Sequence, residues 1–219
     1  MSTLRSLATR GTVSALVGAP GQMQAFVAFE IACRAARAGE QVVILSDIDD
    51  VSDQVISWRH GSKVQPGERM RIEVVPDRQF KGRVSAAAVL AECSKRKITP
   101  TIVVSIELAR TPGGFFDHAA PLYVEMAQKL AAGGIGAALA GHSGVVPKQE
   151  LPLPAGIDRW ACVAHQRNGY EVRLTGPRGE AIDVRGVEHV GQYLGRDGKW
   201  TAPANPYHRT IVFREAASV

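Results

Sequence analysis

The sequence lacks most of the features that would assign it on sight. Its 219 residues include three cysteines, Cys33, Cys93 and Cys162, an odd number set far apart and in no CxxC spacing. That argues against a disulfide framework or a zinc site and fits a reducing cytoplasm. No apolar run reaches the length of about 18 residues that suggests a membrane span. The opening "MSTLRSLATRG" shows neither an apolar stretch nor a cleavage site, so no secretory signal is expected. The expectation is a cytoplasmic protein without a membrane partner. His118, His142, His165, His189 and His208 show no i, i+4 pairing, and no metal site is expected. "GHSG" at 141–144 lacks the spacing of a GxSxG elbow, so a serine nucleophile is not indicated. Trp58, Trp160 and Trp200 read as packing residues. No internal repeat or low-complexity tract occurs.

What is present is an ordinary globular composition, 45% hydrophobic and 21% charged, in a chain long enough to bury a substantial core. The formal net charge is +5, with a sequence pI near 9.3. Much of the excess lies between Arg59 and Lys97, where ten Lys/Arg face four acids. Such a stretch can meet phosphates or can be a solvated face.

Apolar patterning gives an alternating order of elements. Strands are expected at 12–17, 41–46, 69–76, 101–107 and 135–141. Helices are expected at 25–38, 50–60, 82–97 and 117–132, the last interrupted by Pro121. Strands apolar throughout and separated by helices imply a parallel sheet covered on both faces. After the Pro-rich connector 146–156 the pattern changes. Alternating segments at 158–166, 170–176 and 180–186 and a last strand at 209–214 read as an antiparallel extension with turns at Asn168-Gly169, Pro177–Gly179 and Asp197-Gly198. The reading is therefore α/β: a core over 1–150 and a β-rich extension over 151–219 that completes the same domain.

The first strand runs into "GAPGQMQA" at 18–25. A phosphate-binding loop would read GAPGxGKS there. In such a loop, backbone N–H groups and a helix N-terminus cradle the β-phosphate. A lysine neutralises the β/γ oxygens, and a Ser/Thr hydroxyl holds Mg²⁺. Here Gly18 and Gly21 keep the turn. Met23 replaces the close-approach glycine, Gln24 the lysine and Ala25 the hydroxyl.

Four segments, "GTVSALVGAPG", "VVILSDIDD", "TIVVSIELARTPGG" and "GAALAGHSG", together resemble the RecA-type ATPase core. Within it they resemble the RepA/DnaB/KaiC-like group of hexameric helicases and related oligomeric ATPases. The likeness covers roughly residues 10–175, in pattern and order. It implies a RecA-like parallel sheet with a mixed edge, helices on both faces and assembly into oligomers. It places a vestigial phosphate loop at Gly18, Gly21, Gln22 and Gln24. It also puts the Walker B aspartate at Ile106, with Glu107 one residue late, and a one-residue shift on a strand turns a side chain to the other face. His142 matches a histidine of the sensor strand, and Gly144 and Val145 follow where a Lys or Arg acts across a subunit boundary. Asp47 or Asp49 could stand in for the catalytic acid. If the protein were active, Asp47, Asp49, Glu107 and His142 would carry the chemistry.

Phosphoryl transfer rests on positioning and charge stabilisation, and losing one preorganised group costs on the order of 10²–10³ in rate. With lysine, hydroxyl and aspartate all missing, the expectation is a pseudo-ATPase with no cofactor. It would work by binding, as an accessory of a replication, recombination or packaging machine. Its partners would be a second copy or a paralogous RecA-like ATPase, and DNA or RNA. Candidate nucleic-acid residues are Arg110, Phe115 and Phe116 in the loop after the fourth strand, and Lys95, Arg96 and Lys97; a packing role for the two phenylalanines is the competing reading. The alternative is a divergent NTPase or helicase with a non-standard phosphate loop, which alone would use ATP and Mg²⁺.

Overall fold

The computed structural model describes residues 4–18, 24–46, 55, 58–59, 62, 64–80, 82–106, 116, 120–142, 155–165, 171–175, 181–190, 193–194, 200–201 and 209–214. Six strands run parallel: β1 (Val13–Gly18), β2 (Val42–Ser46), β3 (Ile72–Pro76), β4 (Ile102–Ile106), β5 (Gly136–His142) and β6 (Arg159–His165). They lie in the order β3-β2-β4-β5-β1-β6, so the fold is α/β around a parallel sheet. Beyond β6 come β7 (Glu171–Thr175), β8 (Ala181–Val190) and β11 (Arg209–Arg214), each antiparallel to the strand before it in the sheet. A separate two-stranded pair joins β9 (Tyr193–Leu194) and β10 (Trp200–Thr201). Among the described residues, no helix is long and apolar enough to cross a membrane.

The run of buried apolar residues in β1, β2 and β4 is explained by cover on both faces. On one face lie α1 (Gln24–Arg37) and a 3-10 turn over Arg5–Ala8, packing Phe29, Ile31, Ala32, Leu4 and Leu7 onto Leu16, Ile44, Val104 and Ala138. On the other lie α3 (Ala86–Lys95) and α4 (Ala120–Ala132), packing Val89, Met126, Ala127 and Leu130 onto Val17, Val43, Val103 and Leu139. Helix α1 is covered on its outer side as well. Val55, Trp58 and Val64 pack against it, with Trp58 edge-on to Phe26 (5.5 Å) and tilted over Phe29 (5.2 Å).

Three boundaries differ from the sequence expectation. The third strand begins at Ile72, because Pro66–Arg69 forms a short helix, α2. Gln65 and Glu68 hold it by reciprocal capping bonds, with Pro66 in its first turn. Helix α3 begins after Ser85, whose hydroxyl accepts from the Ala88 N–H at 3.2 Å, and so leaves Gly82–Val84 outside. Pro121 does not interrupt α4: it is the second residue of the helix, where its missing N–H costs nothing. The expected helix over 50–60 lies mostly outside the described residues, although Val55, Trp58 and Arg59 are helical. The three extension turns and residues 146–154 of the connector also lie outside them.

Gly136 opens β5 directly beneath the N-terminal turn. A Cβ there would stand 2.4 Å from the Thr9 carbonyl oxygen and 2.7 Å from Ile102 Cδ1. Because one of these neighbours is backbone, Gly136→Ala is expected to cost about 1–3 kcal/mol. Urea unfolding would show it as a lower midpoint at unchanged slope. An unchanged midpoint would mean that the turn yields freely.

Candidate functional site

In parallel α/β sheets, ligands bind beyond the carboxyl ends of the strands, where the winding reverses. Here that place is the end of β1. Helix α1 leaves it on one face towards β2, while α3 and α4 return on the other face.

Strand register sets which residues share this edge. Gly18 at the end of β1 is level with His142 of β5 and Val163 of β6. Ser46 at the end of β2 is level with Ile106 of β4, which in turn is level with Ala140 of β5. Side chains alternate along each strand, so Ser46, following Val42 and Ile44, faces the α1 side. Ile106, Ala140 and Val163 also belong to the α1-side core. Above this row starts α1. Gln24 in its first turn is buried, 8% exposed, and Ala25 is partly buried against the same core.

Two polar atoms in this region have no hydrogen-bond partner among the described residues, Gln24 Oε1 and Ser46 Oγ, and both are buried. Buried polar groups are normally satisfied by protein or water, so such atoms mark a place where something else can bond. Sequence reasoning had not singled out Ser46. Its signal was its offset of two and four residues from Ile44 and Val42, at the strand's last position and next to Asp47.

The site's electrostatics are set by what these positions carry. Gln24 is neutral, and Ala25 packs as a methyl group. Ile106, only 3% exposed, places hydrocarbon where the resemblance calls for a metal-holding carboxylate. Among the described residues no group of three potential metal ligands gathers anywhere. His142 is half-buried and already engaged with another group. Among the described residues, what remains is the positive end of α1, worth about 0.3–1 kcal/mol to an anion.

The structure thus brings Gly18, Gln24 and His142 to one edge. Gly21, Gln22, Asp47, Asp49, Glu107, Arg110 and Phe115 lie outside the described residues. Phe116 is described, and of its two readings, stacking or packing, it takes the packing one. It is 7% exposed and packed in the core under α3 and α4, so its ring presents no face for stacking on a base. Lys95, Arg96 and Lys97 are described as well. They end α3 and precede β4, which puts them at the amino edge of the sheet, opposite Gly18. Arg96 is committed there: its guanidinium donates to Glu92 at 2.9 Å and to Glu73 at 2.8 Å. That bond is the main reason the Glu92 carboxyl is held below the usual range.

Neither buried cysteine offers a second chemistry. Burial pushes the Cys33 thiol far above its ordinary value, with Glu30 adding to the rise, and Cys93 moves in the same direction. Both are free and buried, as inert packing residues are. No protein-family model matches the chain, and no curated protein matches it.

Proposed function

We propose that this chain is a RecA-like protein that has given up nucleotide turnover and acts by binding and assembly, as an accessory of a nucleic-acid replication, recombination or packaging machine. The observation that carries this reading is the set of side chains at the carboxyl edge. Gln24, Ala25 and Ile106 stand where cation, hydroxyl and carboxylate would be needed, and all three are buried or packed into the core without a charge. The six-stranded parallel sheet with helices on both faces is compatible with a RecA-like core. Enzyme rate enhancement in phosphoryl transfer comes from the missing groups, so the same scaffold without them is a binding module.

A second reading is supported by Gln24 Oε1 and Ser46 Oγ, which have no hydrogen-bond partner among the described residues. In a divergent NTPase these polar atoms would contact nucleotide or its water, with the cation supplied by a neighbouring subunit. Thermal unfolding with and without nucleotide separates the two. A ligand that binds the folded state raises the melting temperature with its excess over Kd. The binding-module reading expects a flat melting temperature up to millimolar ATP and Mg²⁺, together with a dimer or ring in solution. A rise that grows with ATP and disappears in Gln24→Leu would favour the NTPase reading.

A further inference from the structure

The amino edge of the sheet carries a set of cations that pair with no carboxylate among the described residues. Arg69 and Arg71 precede β3 and Lys97 follows α3, and all three are exposed. The nearby acids are already engaged: Glu40 with Arg10, Glu68 with Arg37, and Glu73 and Glu92 with Arg96. Lys95 shares Glu92 at 3.3 Å. By contrast, Arg69, Arg71 and Lys97 make no ion pair with a carboxylate among the described residues, although Arg71 donates to the Gly39 carbonyl at 3.0 Å. These three lie on neighbouring turns. The Arg71 carbonyl accepts from Val42 N–H, Thr101 N–H donates to the Gln41 carbonyl, and the Arg96–Glu73 pair ties the end of α3 to β3. Strands β3 and β4 are two strand spacings apart, about 10 Å.

Lys97 adds an independent sign. At φ 59 it is the one non-glycine residue with positive φ among the described residues. Helices α1 and α4 are followed by Gly39 and Gly134 in the same left-handed region, at φ 91 and 81. A glycine ends a helix there without strain, whereas a lysine is strained. The fold thus keeps a cation at the end of α3 where α1 and α4 have glycine.

We infer that this rim, Arg69, Arg71 and Lys97, is a docking surface for the phosphate backbone of duplex nucleic acid. It rests on, and deepens, the nucleic-acid part of the function proposed above. Two arginines suit phosphate oxygens by bidentate geometry. Among the described residues no aromatic side chain is exposed on the rim for base stacking, so the contact reads backbone and not sequence. An anionic membrane fits less well. Met70, 85% exposed between the arginines, is the rim's sole large exposed apolar residue among those described, since Leu90 and Leu122 are on α3 and α4. Interfacial binding needs a broader apolar face.

The test is fluorescence anisotropy of a labelled duplex DNA titrated with the full-length protein across a range of salt concentrations. Each phosphate neutralised contributes about −0.9 to the slope of log affinity against log salt. Arg69→Gln/Arg71→Gln/Lys97→Gln is expected to weaken binding at low salt and flatten that slope by about 2.7. Lys97→Gly alone is expected to raise the melting temperature while lowering affinity. A stability role alone would not produce that combination. A triple variant that binds DNA as wild type does, with the same slope, overturns the surface and leaves the nucleic-acid reading standing. A wild-type protein that binds no duplex overturns both. So does binding to phosphatidylserine vesicles without binding to DNA.

Discussion

Trp58→Ala is expected to lower stability by about 3–5 kcal/mol, among the largest effects available in this chain. Trp58 is 1% exposed, and its ring lies against both Phe26 and Phe29 on the outer side of α1. Removing it deletes the largest fully buried side chain described and leaves a cavity between α1 and the 55–64 segment. The indole N–H has no hydrogen-bond partner among the described residues, and the contacts they show for the ring are packing contacts. Trp58→Phe keeps an aromatic ring there and removes that unpaired donor, and is expected to cost far less. Urea unfolding of the three proteins measures the difference. Equal midpoints for wild type and Trp58→Ala would show that α1 is not held from outside.

The second large effect concerns charge. The side chain of Glu30 is 3% exposed in the middle of α1, with Arg34 at 2.8 Å and Arg37 at 3.6 Å. Arg37 also reaches Glu68 at 3.1 Å and donates to the Ser62 carbonyl, so the network ties α1 to the segment that covers it. Removing one partner of a buried pair leaves an uncompensated charge, which costs about 3–5 kcal/mol. Arg34→Met is therefore expected to be strongly destabilising, with Arg37 holding the loss towards the lower end. Glu30→Met/Arg34→Met should recover most of it, because replacing both ions with hydrocarbon removes the desolvation cost. If the double variant is as unstable as Arg34→Met, then shape and not charge sets the requirement at this place.

Most of the parallel core was legible because its signals are local. The apolar runs ending at Gly18, Ser46 and Ile106 and the helical periodicity of 25–38 need no distant partner to be read. Pro66–Arg69 was missed because Pro-Gly reads as a turn, whereas the bonds between Gln65 and Glu68 make it helical. Pro121 was misread because proline breaks a helix interior and suits its first turn, and the sequence did not mark where the helix began. At the carboxyl edge, the resemblance named Gly18, Gln24 and His142, and strand register puts Gly18 level with His142. Ser46 was hidden as one polar residue in an apolar strand, and only register shows it level with Ile106. That Lys95, Arg96 and Lys97 stand at the amino edge, opposite Gly18, follows from their place between α3 and the start of β4, which the sequence alone did not put on either edge.

The account depends on Gln24, Ala25 and Ile106 bringing no charge to the carboxyl edge of the sheet. Its most direct test is phosphate release from ATP by purified protein, with and without Mg²⁺, beside Asp47→Ala prepared in parallel. The expected result is release at the same background rate in all samples, because Gln24, Ala25 and Ile106 supply no cation, hydroxyl or carboxylate. Mg²⁺-dependent release by the wild-type protein that Asp47→Ala abolishes would contradict it.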